Sequence, residues 1–317
     1  IRRAKRWFCP FLWGNIGGIC DMENGIGKLR IDMTIKVLLL FGGIIAMMVL
    51  AYILSVGAVA GYLLARGIES GSLKLALGIW MKAYQSTLLM AVSALAATMS
   101  GIWMGILYRR SAWRTESFSY AKELGGMTIP WLVILGAAGC VVSTVGMSVF
   151  SQIWSKSFEY YQEIMSHLSD TTSMLTLVYV LVIGPVSEEF IFRGAILDRL
   201  NLAYPFWAAN LFQAFLFGLY HGNFWQGLYA FALGCLLGLV RMAVGSIAAN
   251  IILHMTYNAA SYLLQIIFAE DGAAQRTGLI VLTVLSVAGL AAGILLFWRK
   301  WKERRRNWLG QNEKNVQ

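Results

Sequence analysis

Long uncharged apolar stretches recur along the chain at lengths that match bilayer crossings. No charge interrupts Val37 to Ala65, Ala83 to Tyr108 or Gly126 to Gln152. A fourth stretch begins near Thr171 and meets two glutamates just after Ser187. Leu200 to Val240 is uncharged for 41 residues, about 60 Å of helix, which is two crossings of about 20 residues each. The break within it is expected at His221-Gly222-Asn223, because Gly and Asn punctuate helices. Met242 to Ala269 and Thr277 to Trp298 complete the set. The pattern predicts an all-α fold, a polytopic membrane helical bundle of about eight transmembrane helices. A basic segment, 1–36, precedes the bundle, 37–298, and a basic tail, 299–317, follows it.

Composition agrees. Of 317 residues 58% are hydrophobic and 13% charged, against about 25% charged in soluble domains. The net charge of +10 is not spread as nucleic-acid binding would need. Arg2, Arg3, Lys5, Arg6, Lys28, Arg30 and Lys36 precede the first apolar run, and Arg299, Lys300, Lys302, Arg304, Arg305, Arg306 and Lys314 follow the last. With both termini cytoplasmic, 21 of the 26 Lys and Arg lie on the inside, as the orientation rule for membrane proteins requires. On this count Arg241 sits in an inside loop, while Glu159, Glu163 and Asp170, then Glu270 and Asp271, lie outside. The partner implied is the lipid bilayer rather than nucleic acid, and in a bacterium the location is the plasma membrane.

Cys9, Cys20, Cys140 and Cys235 are isolated and indicate neither a disulfide framework nor a Cys-based zinc site. The first long apolar run starts late and is too long for a cleavable signal peptide. The chain begins with Ile, and Met22 and Met33 are candidate starts. Gly57/Gly61, Gly101/Gly105 and Gly234/Gly238 have the spacing that lets membrane helices approach closely, here for packing within the bundle. No soluble domain, repeat or low-complexity tract is apparent.

Ionisable residues inside apolar helices are costly and mark function. Three segments carry them. In Gly184-Pro185-Val186-Ser187-Glu188-Glu189-Phe190-Ile191-Phe192-Arg193 the adjacent acids point about 100° apart on a helix. Glu189 and Arg193, four apart, suit an ion pair, which leaves Glu188 for general-base work. Pro185 would kink the helix beside it. The plainer reading pairs both acids with bases. In Phe217-Gly218-Leu219-Tyr220-His221 the histidine closes a helix, where it is commonly only hydrogen-bonded. Glu188 and His221 are, however, equally many residues from the turn expected at Tyr204-Pro205. They therefore reach one depth on neighbouring helices, if the tip with Arg193, Asp198, Arg199 and Asn201 projects about 10 Å into the cytoplasm. In His254-Met255-Thr256-Tyr257-Asn258 the i, i+4 pair shares a face and serves as either an oxyanion-binding pair or an interhelical clamp. His167, the third histidine, has no expected role.

Glu-Glu-x-x-x-Arg, then Phe-x-x-x-His, then His-x-x-x-Asn, in separate helices over residues 184–258, resembles the CPBP intramembrane proteases, the type II CAAX prenyl endopeptidases and their bacterial Abi relatives. The resemblance implies an endopeptidase hydrolysing a peptide bond within the bilayer. Glu188 and His221 would activate water, His254 and Asn258 would bind the oxyanion, and Glu189 and Arg193 would support them. It implies a hydrophobic or lipidated peptide as substrate. No cofactor is expected. The alternative is zinc on Glu188, His221 and His254, as in a metalloprotease, although no His-Glu-x-x-His motif is present. A transporter or an immunity scaffold without catalysis is the competing class.

Overall fold

The computed structural model describes residues 19–110, 127–168, 174–268 and 273–314. Helices joined by short turns account for these residues, and no strand occurs among them. They are α1 (Ile19–Ala65), α2 (Leu73–Ala83), α3 (Gln85–Arg110), α4 (Thr128–Ile153) and α5 (Ser155–Leu168). There follow α6 (Met174–Leu200), α7 (Phe206–Tyr220), α8 (Phe224–Val244), α9 (Ile247–Ile267) and α10 (Ala273–Lys314). Six of these (α1, α3, α4, α6, α8 and α10) are long and apolar enough to cross a membrane. The shorter apolar α7 and α9, whose 21 residues include Asn250, His254 and Asn258, account for the other two of the eight apolar helices read from the sequence. The chain is an integral, multi-pass membrane protein.

Burial separates the centre from the lipid face. α8 packs on α7, α9 on α4, and α10 on both α4 and α8, with α6 held between α3, α7 and α9. Leu39, Val49 and Ile53 of α1 and Ile280, Val284 and Leu285 of α10 stay exposed. Apolar surface on this scale belongs against acyl chains rather than water.

Small residues set the closest approaches. A Cβ on Gly218 would lie 2.8 Å from the Gly227 carbonyl oxygen, one on Gly234 3.0 Å from Ala214 Cα, and one on Gly238 would overlap Asn210. The α7–α8 seam is therefore made by Gly234/Gly238 together with Gly218/Gly227. Gly101 brings α3 against Ser187, whereas Gly57, Gly61 and Gly105 meet nothing within 4 Å. Of the three spaced pairs, then, one packs fully, one in half and one not at all.

The turns follow their residues. Pro205 opens α7 from an extended conformation. The break at His221-Gly222-Asn223 is where the sequence put it: Gly222 has φ +66°, and Asn223 Oδ1 accepts from the backbone N–H groups of Trp225 at 2.9 Å and Gln226 at 3.3 Å, a side-chain N-cap for α8.

Several expectations are corrected. Arg241 is not in a loop, because α8 continues to Val244 and ends on Gly245 at φ +78°. The guanidinium is 1% exposed and donates to Gly245 O at 2.6 Å and Asp198 Oδ2 at 2.8 Å, so it caps a helix end and staples α6 to α8. The α6–α7 tip likewise does not carry its charges into water. Arg193 is fully buried, Asp198 is paired with Arg241, and Arg199 donates to Ala195 O. Pairing inside the protein replaces hydration.

The described parts of the basic segments are helical. Residues 19–36 belong to α1 and residues 299–314 to α10. Arg30 donates to Ala203 O at 3.3 Å, and Thr34 Oγ1 lies 2.7 Å from the Tyr204 hydroxyl. At the same turn Phe206 and Trp207 stack with Trp298 and Trp301, with Lys302 over the Trp298 ring. The start of α1 and the basic end of α10 thus share one end of the bundle. Cys9, Arg2, Arg3, Lys5, Arg6, Arg114, Lys122, Asp170, Glu270 and Asp271 lie outside the described residues, as do the side chains of Cys20, Glu163 and His167.

A bulky residue at the α7–α8 seam should force the helices apart. Gly238→Leu is expected to cost about 1–3 kcal/mol, and Gly57→Leu under about 0.5 kcal/mol. Thermal midpoints of the two purified variants in the same detergent check this; equal midpoints would remove the seam from the packing account.

Candidate active site

α6 is not a uniform α-helix. Tyr179–Ile183 and Glu189–Leu197 take the wider π form, on either side of an α-helical turn at Gly184–Glu188. Pro185 has no N–H to donate, and the turn before it opens so that Gly184 N–H reaches Tyr179 O. Wide turns of this kind concentrate at functional sites because they re-aim the side chains that follow. A Cβ on Gly184 would crowd the Tyr179 carbonyl oxygen at 3.1 Å, so the small residue suits the wide turn.

Glu188, Glu189, Arg193 and His254 converge. Glu189 and Arg193 are 0% exposed, His254 3% and Glu188 7%. Glu189 Oε1 accepts from Arg193 Nη1 at 2.9 Å and from His254 Nδ1 at 2.8 Å. A carboxylate oxygen already holding a guanidinium can only accept, so Nδ1 of His254 carries the proton. Its other nitrogen, Nε2, faces Glu188 Oε2 at 3.6 Å. The ion pair expected between Glu189 and Arg193 is present, and the same carboxylate also aims the His254 ring.

His221 closes α7 beside this cluster, half-buried, with Nδ1 donating to Phe217 O at 2.8 Å. Its Nε2 is thereby the acceptor nitrogen. The charges of Glu188, His254 and Arg193 all reach the ring. Phe217 lies between the two histidines, with ring centroids 4.9 Å from His221 and 5.9 Å from His254. Arg193 Cζ stands 4.5 Å over the same phenyl ring. Asn258, half-buried one turn beyond His254, donates from Nδ2 to Val180 O at 2.8 Å. It is tied to the first wide turn of α6 and retains a second amide hydrogen.

The sequence reading missed the polar residues behind this group. Asn210 and Gln213 on α7 and Asn250 on α9 are fully buried, and Tyr179 and Tyr220 lie within the field of Glu188. A signal was present: 210, 213, 217 and 221 form one stripe on α7, and 250, 254 and 258 one on α9, both inside uncharged runs. Among the described residues, no three His, Cys, Asp or Glu side chains form a group able to hold a metal ion.

The comparisons with known proteins agree with the motifs. Residues 170–260 match the family model described as type II CAAX prenyl endopeptidase Rce1-like. The chain is 28% identical over 140 residues to a protein of Escherichia coli named only as an uncharacterized 24.3 kDa protein, an alignment covering 42% of this chain and 62% of that one. It is 25% identical over 164 residues to the membrane-embedded CAAX protease MroQ of Staphylococcus aureus (strain USA300), covering 47% of this chain and 63% of the relative. The chain thus spans about three-fifths of the curated relatives it matches, and no solved structure matches it significantly. All the site residues named above lie within the matched segment, and the resemblance to the CAAX protease family is borne out at that level.

Removing Arg193 would leave Glu189 buried with one donor lost. Arg193→Met is expected to destabilise by about 3–5 kcal/mol, and the double variant Glu189→Gln/Arg193→Met by less. Denaturant unfolding in mixed micelles measures both; a double variant weaker than the single would show that the charges are not compensating each other.

Proposed function

We propose that this chain is an intramembrane endopeptidase that hydrolyses a peptide bond by glutamate-activated water. One observation carries the reading: a buried glutamate, Glu188, faces His254 Nε2 across 3.6 Å, and Phe217 touches both that histidine and His221, inside the segment that matches the CAAX protease family. An ionisable acid at that depth is costly and marks a functional site.

In the proposed reaction Glu188, oriented with His221, takes a proton from water as its oxygen bonds to the scissile carbonyl carbon. The carbonyl π pair moves onto oxygen, and the resulting oxyanion is held by His254 and by the second amide hydrogen of Asn258. Glu188 then returns the proton to the leaving nitrogen as the C–N bond breaks. His254 as donor needs a proton on Nε2 besides the one given to Glu189.

Both termini are proposed to be cytoplasmic, with a hydrophobic or lipidated peptide entering from the bilayer. The name of the Staphylococcus aureus relative points to a CAAX-type substrate. The reaction is proposed to run without metal. A zinc version would take Glu188, His221 and His254 as ligands.

Glu188→Gln and His221→Ala are expected to abolish cleavage while leaving membrane insertion and thermal midpoint unchanged. Cleaved products in reconstituted vesicles, and peptides retained by Glu188→Gln, provide the measurement. Proteolysis surviving in either variant would end the reading, and full inhibition by a chelator with recovery on adding zinc would replace it with the metal-dependent one.

A further inference from the structure

Behind the cluster a second set of buried amides runs to the α7–α8 seam. Gln213 Nε2 donates to Asn210 Oδ1 at 2.8 Å and to Gly234 O at 2.9 Å. Asn210 Nδ2 in turn donates to Cys235 O at 3.0 Å. Two acceptors facing one nitrogen fix the Gln213 amide: both its hydrogens are used, and the orientation cannot be reversed without setting acceptor against acceptor. Asn210 fills the space left by the missing side chain of Gly238, where any Cβ would overlap it.

The Gly234 carbonyl is the junction. It accepts from Gln213 at 2.9 Å and from Arg193 Nη2 at 3.4 Å, and the first bond is the well-formed one. The other terminal nitrogen of Arg193 holds Glu189 Oε1, which holds His254 Nδ1. A continuous chain of donors and acceptors therefore joins α7, α8, α6 and α9, with Gln213 and Asn210 at one end and the His254 ring at the other. Gln213, Asn210, Arg193 and Glu189 are all 0% exposed, so water does not compete for these bonds.

We propose that Gln213 is a positioning residue of the candidate active site, which sets the orientation of the His254 ring through Gly234 O, Arg193 and Glu189. Its amide occupies the Gly234 carbonyl and keeps the guanidinium at arm's length, committed to Glu189. Without the amide that carbonyl turns fully to Arg193, the long contact shortens towards α8, and the guanidinium is drawn off Glu189 Oε1. The His254 Nδ1 bond then loses its fixed acceptor, and Nε2 no longer faces Glu188.

The test reads the ring directly. The chain has three histidines, so imidazole nitrogen NMR of the full chain in lipid nanodiscs gives three ring signatures. Gln213→Met and Gln213→Leu keep the volume and remove the amide. In both, the His254 nitrogen signals should move away from the Nδ1-bonded pattern of the parent chain while those of His167 stay in place, with thermal midpoints within a few degrees. Unmoved His254 signals in folded variants would overturn the proposal. So would loss of fold in both variants, since the residue would then hold the bundle rather than aim the ring.

For turnover, which rests on the protease reading, a quenched fluorogenic peptide with a farnesylated carboxy terminus is the probe. kcat should fall about tenfold or more, towards the hundredfold that an ångström of misplacement costs, with KM within twofold. The ring signals need no turnover. A moved ring in a chain whose Glu188→Gln variant still cleaves would sink the glutamate-activated mechanism and leave the positioning role standing.

Discussion

A carboxylate entirely removed from water governs this architecture. Glu189 has no exposed surface, and one of its oxygens accepts from a guanidinium and an imidazole at once. An ion moved into such surroundings costs several kcal/mol unless it is paired and hydrogen-bonded. The two donors come from different helices, Arg193 from α6 itself and His254 from α9. Satisfying one acid therefore fixes how α9 is rotated against α6, and that rotation turns the far nitrogen of the imidazole towards Glu188.

The other helices make this arrangement possible by coming close and by stopping short. Glycines at the α7–α8 seam admit a layer of amides where larger residues would hold the helices apart. α7 has 15 residues, about 22 Å of helix against a hydrocarbon core of about 30 Å. It ends at His221, where Gly222 at φ +66° and the Asn223 cap turn the chain into α8. A short helix thus sets His221 at its own end, with Phe217 touching both that ring and His254.

Much of this was legible in the residues. Uncharged runs marked the helices, Gly and Asn marked the break after His221, and four-residue spacing marked both the Glu189–Arg193 pair and the shared face of His254 and Asn258. What escaped was anything decided by three bodies at once. Spacing along one helix does not reveal that Glu189 serves a second helix, nor that Arg241, which reads as a loop charge, is consumed by Gly245 O and Asp198. Asn210 and Gln213 lay in a run scanned for charge, so neutral amides drew no notice although they share a stripe with His221. Uncharged runs also say nothing of how far a helix extends into a basic end, since helix geometry continues as long as side chains can reach headgroups or aromatic faces.

The wide turns of α6 have a further consequence. A π turn holds one residue more than the α turn it replaces, so each is equivalent to a single inserted amino acid absorbed without a loop. Deleting one residue within Glu189–Leu197 would let the backbone relax to ordinary winding, re-aiming side chains inside the stretch while those beyond it keep their directions. Arg193 would be re-aimed against Glu189 and Gly234 O while the hydrophobic character of the segment stayed the same. A related chain one residue shorter here could look equally apolar along its length and yet have no assembled acid–histidine pair.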